Sequence, residues 1–337
     1  MNDCEQDIIL SVSIAAYNVQ DYLSETLESL VNLPAGLSEK IDVIVVNDGS
    51  SDNTLKIATS FQERFPNCIT VIDKPNGGYG STFNAALEIA RGKYIRFLDG
   101  DDWFEPEGLA YYIDQLATYD VDAFYSPFID FYEINNESKS IDLLSFVPEG
   151  EYIFTNLKHI PPLPSRSLGY KTNFLRKISF SMTEHCFYVD DEYACIPLKS
   201  ISSFFIGHKP LYRYRIGREG QSISVEGIER HWEDLMFVCT HIVNELGEDA
   251  QSLGESSYLA NRLATIASSP FLKLTSIPPC KEKKAALIRF NRLLKNYSVL
   301  FSSLLRQCGI AQILNKTFFL AYTPLCLYRS KNKQKLS

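Results

Sequence analysis

Apolar and polar positions along the first 130 residues follow two alternating patterns, one of strand length and one of helical period. Residues 8–16 form an apolar, β-branched run that predicts a strand. Leu23, Leu27, Leu30 and Val31 then fall at helical spacing. Residues 41–46 are a second short apolar run, the pattern of a parallel strand buried on both faces. It leads into Asn47-Asp48-Gly49-Ser50-Ser51-Asp52, a turn signal that also caps a helix predicted over 54–65. Residues 69–72 predict a third strand. The glycine loop Asn76-Gly77-Gly78-Tyr79-Gly80-Ser81 follows, then a helix through Ala90 that Arg91-Gly92 closes. Residues 94–98 predict a fourth strand, which ends in Asp99-Gly100-Asp101-Asp102, and Pro106 opens the next helix. Strands alternating with helices imply an α/β chain with a mostly parallel central sheet flanked by helices. Ligands of such sheets bind beyond the carboxyl ends of strands. Three of those ends are polar here: Tyr17-Asn18, Asp48-Gly49 and Asp99-Gly100-Asp101.

From 128 to 168 the pattern loosens. Asn135-Asn136-Glu137-Ser138 and Pro161-Pro162-Leu163-Pro164 read as loop or insertion. A mixed region runs to Ser224, and helices are predicted over 228–246, 257–274 and 281–294, before a basic amphipathic end. The expected division is a catalytic domain over 1–225 and a C-terminal helical region over 226–337.

Composition adds a charge asymmetry. The net charge of -8 hides a segment, 273–337, in which 13 Lys or Arg stand against Glu282 alone; it carries +12 and the rest -20. Apolar residues interleave with these charges. Leu287, Ile288, Leu293 and Leu294 lie beside Arg289, Arg292 and Lys295; Phe318, Phe319, Leu320, Tyr322 and Leu325 precede Arg329, Lys331, Lys333 and Lys335. That pattern is expected to dock on an anionic membrane surface, with packing on the catalytic domain as the competing account. No nucleic acid partner is expected, because the acidic body opposes a polyanion. No run of about 18 uncharged apolar residues occurs, so no transmembrane helix is expected, and the N-terminus lacks a signal peptide's basic start. Eight cysteines without a CxxC pair and five histidines without ligand spacing argue against zinc and fit reduced thiols in a cytosol.

Closely spaced carboxylates directly after an apolar strand suit a hard divalent cation, which takes oxygen ligands from one or two carboxylates and from substrate phosphates. The glycine loop lacks the Gly-Lys-Ser/Thr of a Walker motif and reads as a tight helix entry. A second acidic cluster, Asp190-Asp191-Glu192, offers a general base. In Tyr212-Arg213-Tyr214-Arg215, continuing to Ser224, arginines and hydroxyls suit a diphosphate; the alternation leaves open whether Arg213 and Arg215 share a face.

Together these pieces resemble family 2 glycosyltransferases, inverting enzymes of the GT-A fold, of the bacterial polysaccharide or cell-surface glycan type. The resemblance spans roughly 8 to 225. It rests on Ser13-Ile14-Ala15-Ala16-Tyr17-Asn18, on Val46 to Thr54, on Asn84-Ala85-Ala86 with Arg91-Gly92-Lys93-Tyr94-Ile95, and on Phe97 to Asp102, in that order. Ala15, Gln20 and Phe83 depart from the residues usual at those points. The resemblance implies a Rossmann-like GT-A domain with a C-terminal helical extension, and a hexosyltransferase moving sugar from a nucleotide sugar, a UDP-sugar above all, to an acceptor hydroxyl. It implies Tyr17 and Asn18 at the base pocket, Asp48 on the nucleobase, Asp99 and Gly100 beside the ribose, Asp101 on Mn²⁺ or Mg²⁺, and Arg215, Gln221, Ser222 and Ser224 around the diphosphate. Asp190 matches the base, with Val189 where glutamate is usual. The acceptor implied is a glycan or a lipid-linked chain, and the location cytoplasmic, peripheral at the inner face of the cell membrane. A nucleotidyltransferase and a non-catalytic nucleotide-sugar-binding subunit are the alternatives.

Overall fold

The computed structural model of the protein describes residues 8–34, 36–217 and 225–333. It divides into two units. The first comprises Met1–Asn156, Leu163–Val189 and Ser200–Arg218; the second comprises Leu157–Pro162, Asp190–Lys199 and Glu219–Ser337. The second unit thus takes in two segments from earlier in the chain.

In the first unit, strands β1 (Leu10–Ala16), β2 (Ile41–Asp48), β3 (Ile69–Lys74) and β4 (Tyr94–Asp99) alternate with helices α1 (Leu23–Val31), α2 (Thr54–Arg64) and α3 (Tyr79–Ile89). Then come β5 (Trp103–Phe104), α4 (Pro106–Thr118), β6 (Ala123–Tyr125), β7 (Phe128–Tyr132), β8 (Glu137–Ile141), β9 (Gly150–Ile153), β10 (Leu168–Lys171), α5 (Thr172–Lys177), β11 (Ser203–Ile206) and β12 (Tyr212–Ile216). One sheet has the order β3-β2-β1-β4-β10-β6-β11-β9. β1 to β4 run parallel, and only β10 and β9 run against the rest. Every residue of β2 is buried, as befits a strand covered on both faces, and Asp42, which interrupts its apolar run, is paired with Ser11 and Arg91. Arg96 interrupts the apolar run of β4 and is fully buried, with its guanidinium 5.3 Å from the Phe104 ring and 2.9 Å from the Ser126 hydroxyl.

The chain builds β1, β2 and β3 outward in one direction and then returns to lay β4 on the other side of β1. This reversal makes the carboxyl ends of β1 and β4 the topological switch point, where such sheets hold ligands. A second sheet, β5-β12-β7-β8, pairs Trp103-Phe104 with β12 directly after the Asp99–Asp102 turn. The segment expected to be loop thus contains the β7/β8 hairpin, which turns at Asn136 with φ 61°. β8 carries no apolar alternation, because four of its five side chains are exposed, and it is held to β7 by its backbone ladder.

The second unit holds α6 (Asp190–Cys195), α7 (Val225–Arg230), α8 (Trp232–Leu253), α9 (Tyr258–Leu274), α10 (Lys281–Leu294), α11 (Ser298–Gln307), α12 (Gly309–Lys316) and α13 (Tyr322–Lys333). Ser257 caps α9, its hydroxyl accepting from the Ala260 N–H at 3.2 Å. Leu287 and Leu294 of α10 are fully buried, among a core that includes Leu263 and Phe271. Of the four apolar residues expected to face lipid in this stretch, Leu287 and Leu294 are therefore taken up by the helical unit itself, and Ile288 and Leu293 are half-buried. Among the described residues no helix is long and apolar enough to cross a membrane.

Candidate active site

The β4 end is fixed by three neighbours. Ala15 of β1 stands beside Asp99 in the parallel register, and the Gly100 N–H donates to the Ala15 carbonyl at 3.1 Å. A Cβ on Gly100 would lie 2.8 Å from that carbonyl oxygen, so only glycine allows the strand ends to meet. From α1, the Thr26 hydroxyl faces the carbonyls of Gly100 at 3.0 Å and Asp102 at 2.7 Å. From β12, the Tyr212 hydroxyl donates to Asp102 at 2.7 Å and the Arg215 N–H donates to its other oxygen at 2.8 Å. The turn is thereby held with Asp99 and Asp101 half-buried at its outer side and Asp102 buried beneath. Burial, and then the negative charges of Asp99 and Asp101, push the Asp102 carboxyl well above the usual carboxylate range.

Arg215 is buried, and its guanidinium is engaged by the protein. Nε donates to the Asp101 carbonyl at 2.9 Å, and the other nitrogens reach Glu133 at 3.1 Å and Glu25 at 2.6 Å. It lies 4.7 Å from the Trp103 ring centroid, while Arg213, paired to Glu105, lies 5.8 Å from the same ring. The two arginines therefore share the Trp103 face. These hydrogen bonds brace the Asp101 turn with Arg215, the residue expected from sequence at the diphosphate.

At the end of β2, the Asp48 carboxylate accepts from the backbone N–H groups of Gly77 at 2.8 Å and Gly78 at 2.9 Å, and from Lys74 Nζ at 2.7 Å. This accounts for the glycine loop. Its N–H groups turn inward to Asp48, and a Cβ on Gly80 would lie 2.1 Å from the Thr183 carbonyl oxygen. The loop is a tight helix entry, as its sequence indicates. Asp48, expected to meet a nucleobase, has both oxygens committed to this loop.

Tyr17 is 53% exposed at the end of β1. Asn18 takes a left-handed φ of 51°, which asparagine tolerates better than most residues. Its Oδ1 accepts from the Ser51 N–H at 2.9 Å, and its own N–H donates to the Ser50 hydroxyl at 3.1 Å. The exit loops of β1 and β2 are zipped together, which explains why the two motifs occur as a pair.

Asp190 opens α6 in the second unit, with its side chain exposed. Its neighbours turn the other way. Asp191 accepts from the buried Arg262 at 3.1 Å, and Glu192 is fully buried, 4.0 Å from His241. Tyr188, two residues ahead, has a left-handed φ of 66°, strain of the kind that gathers at functional sites. Gln221, Ser222 and Ser224 lie outside the described residues. Sequence reasoning missed Thr26, Glu25 and Glu133, which carry no local signal because their partners are distant in the chain.

The acidic turn fits a hard cation. Its donors are oxygens, and the negative charges of Asp99 and Asp101 add to burial in raising the Asp102 carboxyl. Among the described residues no group of three acidic, histidine or cysteine side chains could hold a metal ion.

The sequence profile described as glycosyl transferase family 2 matches residues 11–179, half of the chain. The chain belongs to glycosyl transferase family 2. It is 30% identical over 233 residues to the minor teichoic acid biosynthesis protein GgaB of Bacillus subtilis, a match that covers 66% of this chain and 24% of GgaB. The matched stretches span between 24% and 34% of the first three curated relatives' lengths. Among solved structures, residues 1–349 of S. aureus TarS, in complex with UDP-GlcNAc, superpose with a TM-score of 0.69 at 20% identity, covering 92% of this chain and 91% of that one. The mannosyltransferase PcManGT of Pyrobaculum calidifontis, with GDP-Man and Mn²⁺, gives a TM-score of 0.50 at 15% identity over 95% of this chain and 86% of that one. At these identities the likeness establishes the fold: a GT-A sheet with C-terminal helices.

Proposed function

We propose that this chain transfers a sugar from a nucleotide sugar, with UDP as leaving group, to an acceptor hydroxyl with inversion, in the synthesis of a bacterial cell-surface glycan. The observation that carries this reading is the Asp99-Gly100-Asp101 turn at the β1/β4 switch point, pinned by Ala15, Thr26 and Tyr212. TarS, with its UDP-GlcNAc, supports a uridine donor, and the name of GgaB supports a wall-glycan context.

Tyr17, Asn18 and the glycine loop held by Asp48 wall the nucleoside end, and Asp99 with Gly100 lines the ribose side. Asp101 would hold Mn²⁺ or Mg²⁺, which when bound offsets charge growing on the leaving diphosphate. Arg215 acts by holding the Asp101 turn in place, with Gln221, Ser222 and Ser224 as the diphosphate contacts. Asp190 takes the acceptor proton as the acceptor oxygen bonds to the anomeric carbon. The bond from that carbon to the donor phosphate oxygen breaks, and UDP leaves with the electron pair. The acceptor is a glycan or lipid-linked chain presented at the inner face of the cell membrane. Thermal shift against a panel of nucleotide sugars tests the donor. Ligand at 100 times its Kd stabilises by about 2.7 kcal/mol. Uridine donors with Mn²⁺ should raise the melting temperature, and stabilisation by adenosine or guanosine donors alone would reject the assignment.

A further inference from the structure

After α12 the chain turns through two consecutive non-glycine residues in the left-handed region, Phe318 at φ 49° and Phe319 at φ 61°. Bulky L residues rarely adopt this backbone, and its persistence at a surface turn points to a use for what the turn presents. Phe319 goes inward and is 5% exposed, while Phe318 is 87% and Leu320 78% exposed. Along α13 helical spacing separates two faces. Tyr322 and Cys326 are buried, and Pro324, Leu327, Tyr328 and Lys331 point outward. Arg329 donates to the Leu272 carbonyl at 3.2 Å, which sets α13 beside the end of α9, where Leu272 is itself partly exposed. Singly exposed apolar residues are ordinary, whereas several large ones at one end of a unit mark a contact surface.

Charge selects the partner. Lys316 and Lys331 are exposed around these residues, and 273–337 carries 13 basic residues against one acidic. A second copy would set the same positive charge against itself. An anionic lipid leaflet instead offers hydrocarbon to Phe318, Leu320 and Leu327, phosphate to the lysines, and an interfacial layer that suits the amphipathic ring of Tyr328. We infer that the turn at 317–320 and the outer face of α13 form a docking element for an anionic lipid surface. This deepens the proposed reading, which places the acceptor at a membrane, but its test involves neither donor nor acceptor, so the two fail separately.

The test is co-sedimentation of the full chain with vesicles of phosphatidylcholine alone or with about a third phosphatidylglycerol. Binding is expected to the anionic vesicles only, and to weaken in high salt as surface charges are screened. Phe318→Ser with Leu320→Ser should lower the partition coefficient at least about ten-fold. Lys316→Gln with Lys331→Gln should lower it roughly 25-fold, about five-fold per engaged charge. Both double variants should keep the wild-type circular dichroism and thermal midpoint, because all four side chains are exposed. Equal binding to both vesicle types, or binding unchanged in both variants, overturns the inference. So does an absence of vesicle binding with concentration-dependent self-association that Phe318→Ser and Leu320→Ser abolish, which would make the patch a contact between copies.

Discussion

Replacing Asp48 by Asn changes one carboxylate oxygen into an amide NH₂ with almost no change in shape. One oxygen of Asp48 accepts from Gly77, Lys74 and, at 3.4 Å, Ser81; the other accepts from Gly78. The amide will orient to keep its oxygen toward the first group, which sets the NH₂ against the Gly78 N–H. A charge-assisted hydrogen bond of about 1.5–3 kcal/mol is lost, and a part-buried donor is left facing another donor at a further cost of about 1–3 kcal/mol. Relaxation of the loop recovers part of this, so the expected destabilisation is about 2–4 kcal/mol. The protein has two tryptophans. Trp103 packs on Phe131 at 5.2 Å within the first unit, so its fluorescence in a Trp232→Phe background reports that unit's urea transition. The midpoint should fall with the slope unchanged. A shift worth less than about 0.5 kcal/mol would mean that Asp48 does not hold the glycine loop, because surface substitutions stay within that range.

Asp101→Asn should lose most turnover while keeping its urea midpoint, since a neutral amide replaces a charged ligand on a hard cation; full turnover in EDTA would remove the metal from the account. Asp190→Asn should slow transfer roughly 10²–10⁴-fold with stability unchanged, whereas Asp191→Asn should retain turnover and lose about 1–3 kcal/mol through its bond to Arg262; the opposite pattern moves the base by one residue. Burial pushes the Cys68 thiol up to about 11 from an ordinary 9.0, so it stays protonated through pH 9 and its thiolate fraction at pH 8 falls about a hundred-fold. Alkylation of Cys68 at pH 8 should accordingly be at least that much slower in native than in denatured protein, as followed by peptide mass spectrometry.

The parallel core was legible because it is buried on both faces: β2 carries the apolar run 43–46, and its pattern differs sharply from the helices around it. β8 escaped because its side chains are exposed and a strand without an apolar face has no period to read. Residue types at the site were legible for a similar local reason, since Asp99-Gly100-Asp101 and Asp48-Gly49 sit on strand ends. Their partnerships were not. Arg215 reaches Glu25 across 190 residues and Asp191 meets Arg262 across 71, and nothing local in the sequence foretells either bond. The same distance hid the inward turn of the glycine loop, because the crowding at Gly80 comes from Thr183.

The central claim is inverting transfer from a uridine donor at the Asp101 turn. Donor hydrolysis without acceptor can be followed by proton NMR on the α-linked UDP-sugar that gives the largest thermal shift, with diamagnetic Mg²⁺ to keep the signals sharp. The account predicts release of UDP with the β-anomer of the free sugar appearing before mutarotation supplies the α form, and loss of both signals in Asp101→Asn. First appearance of the α-anomer, or release at the same rate from Asp101→Asn, would contradict it.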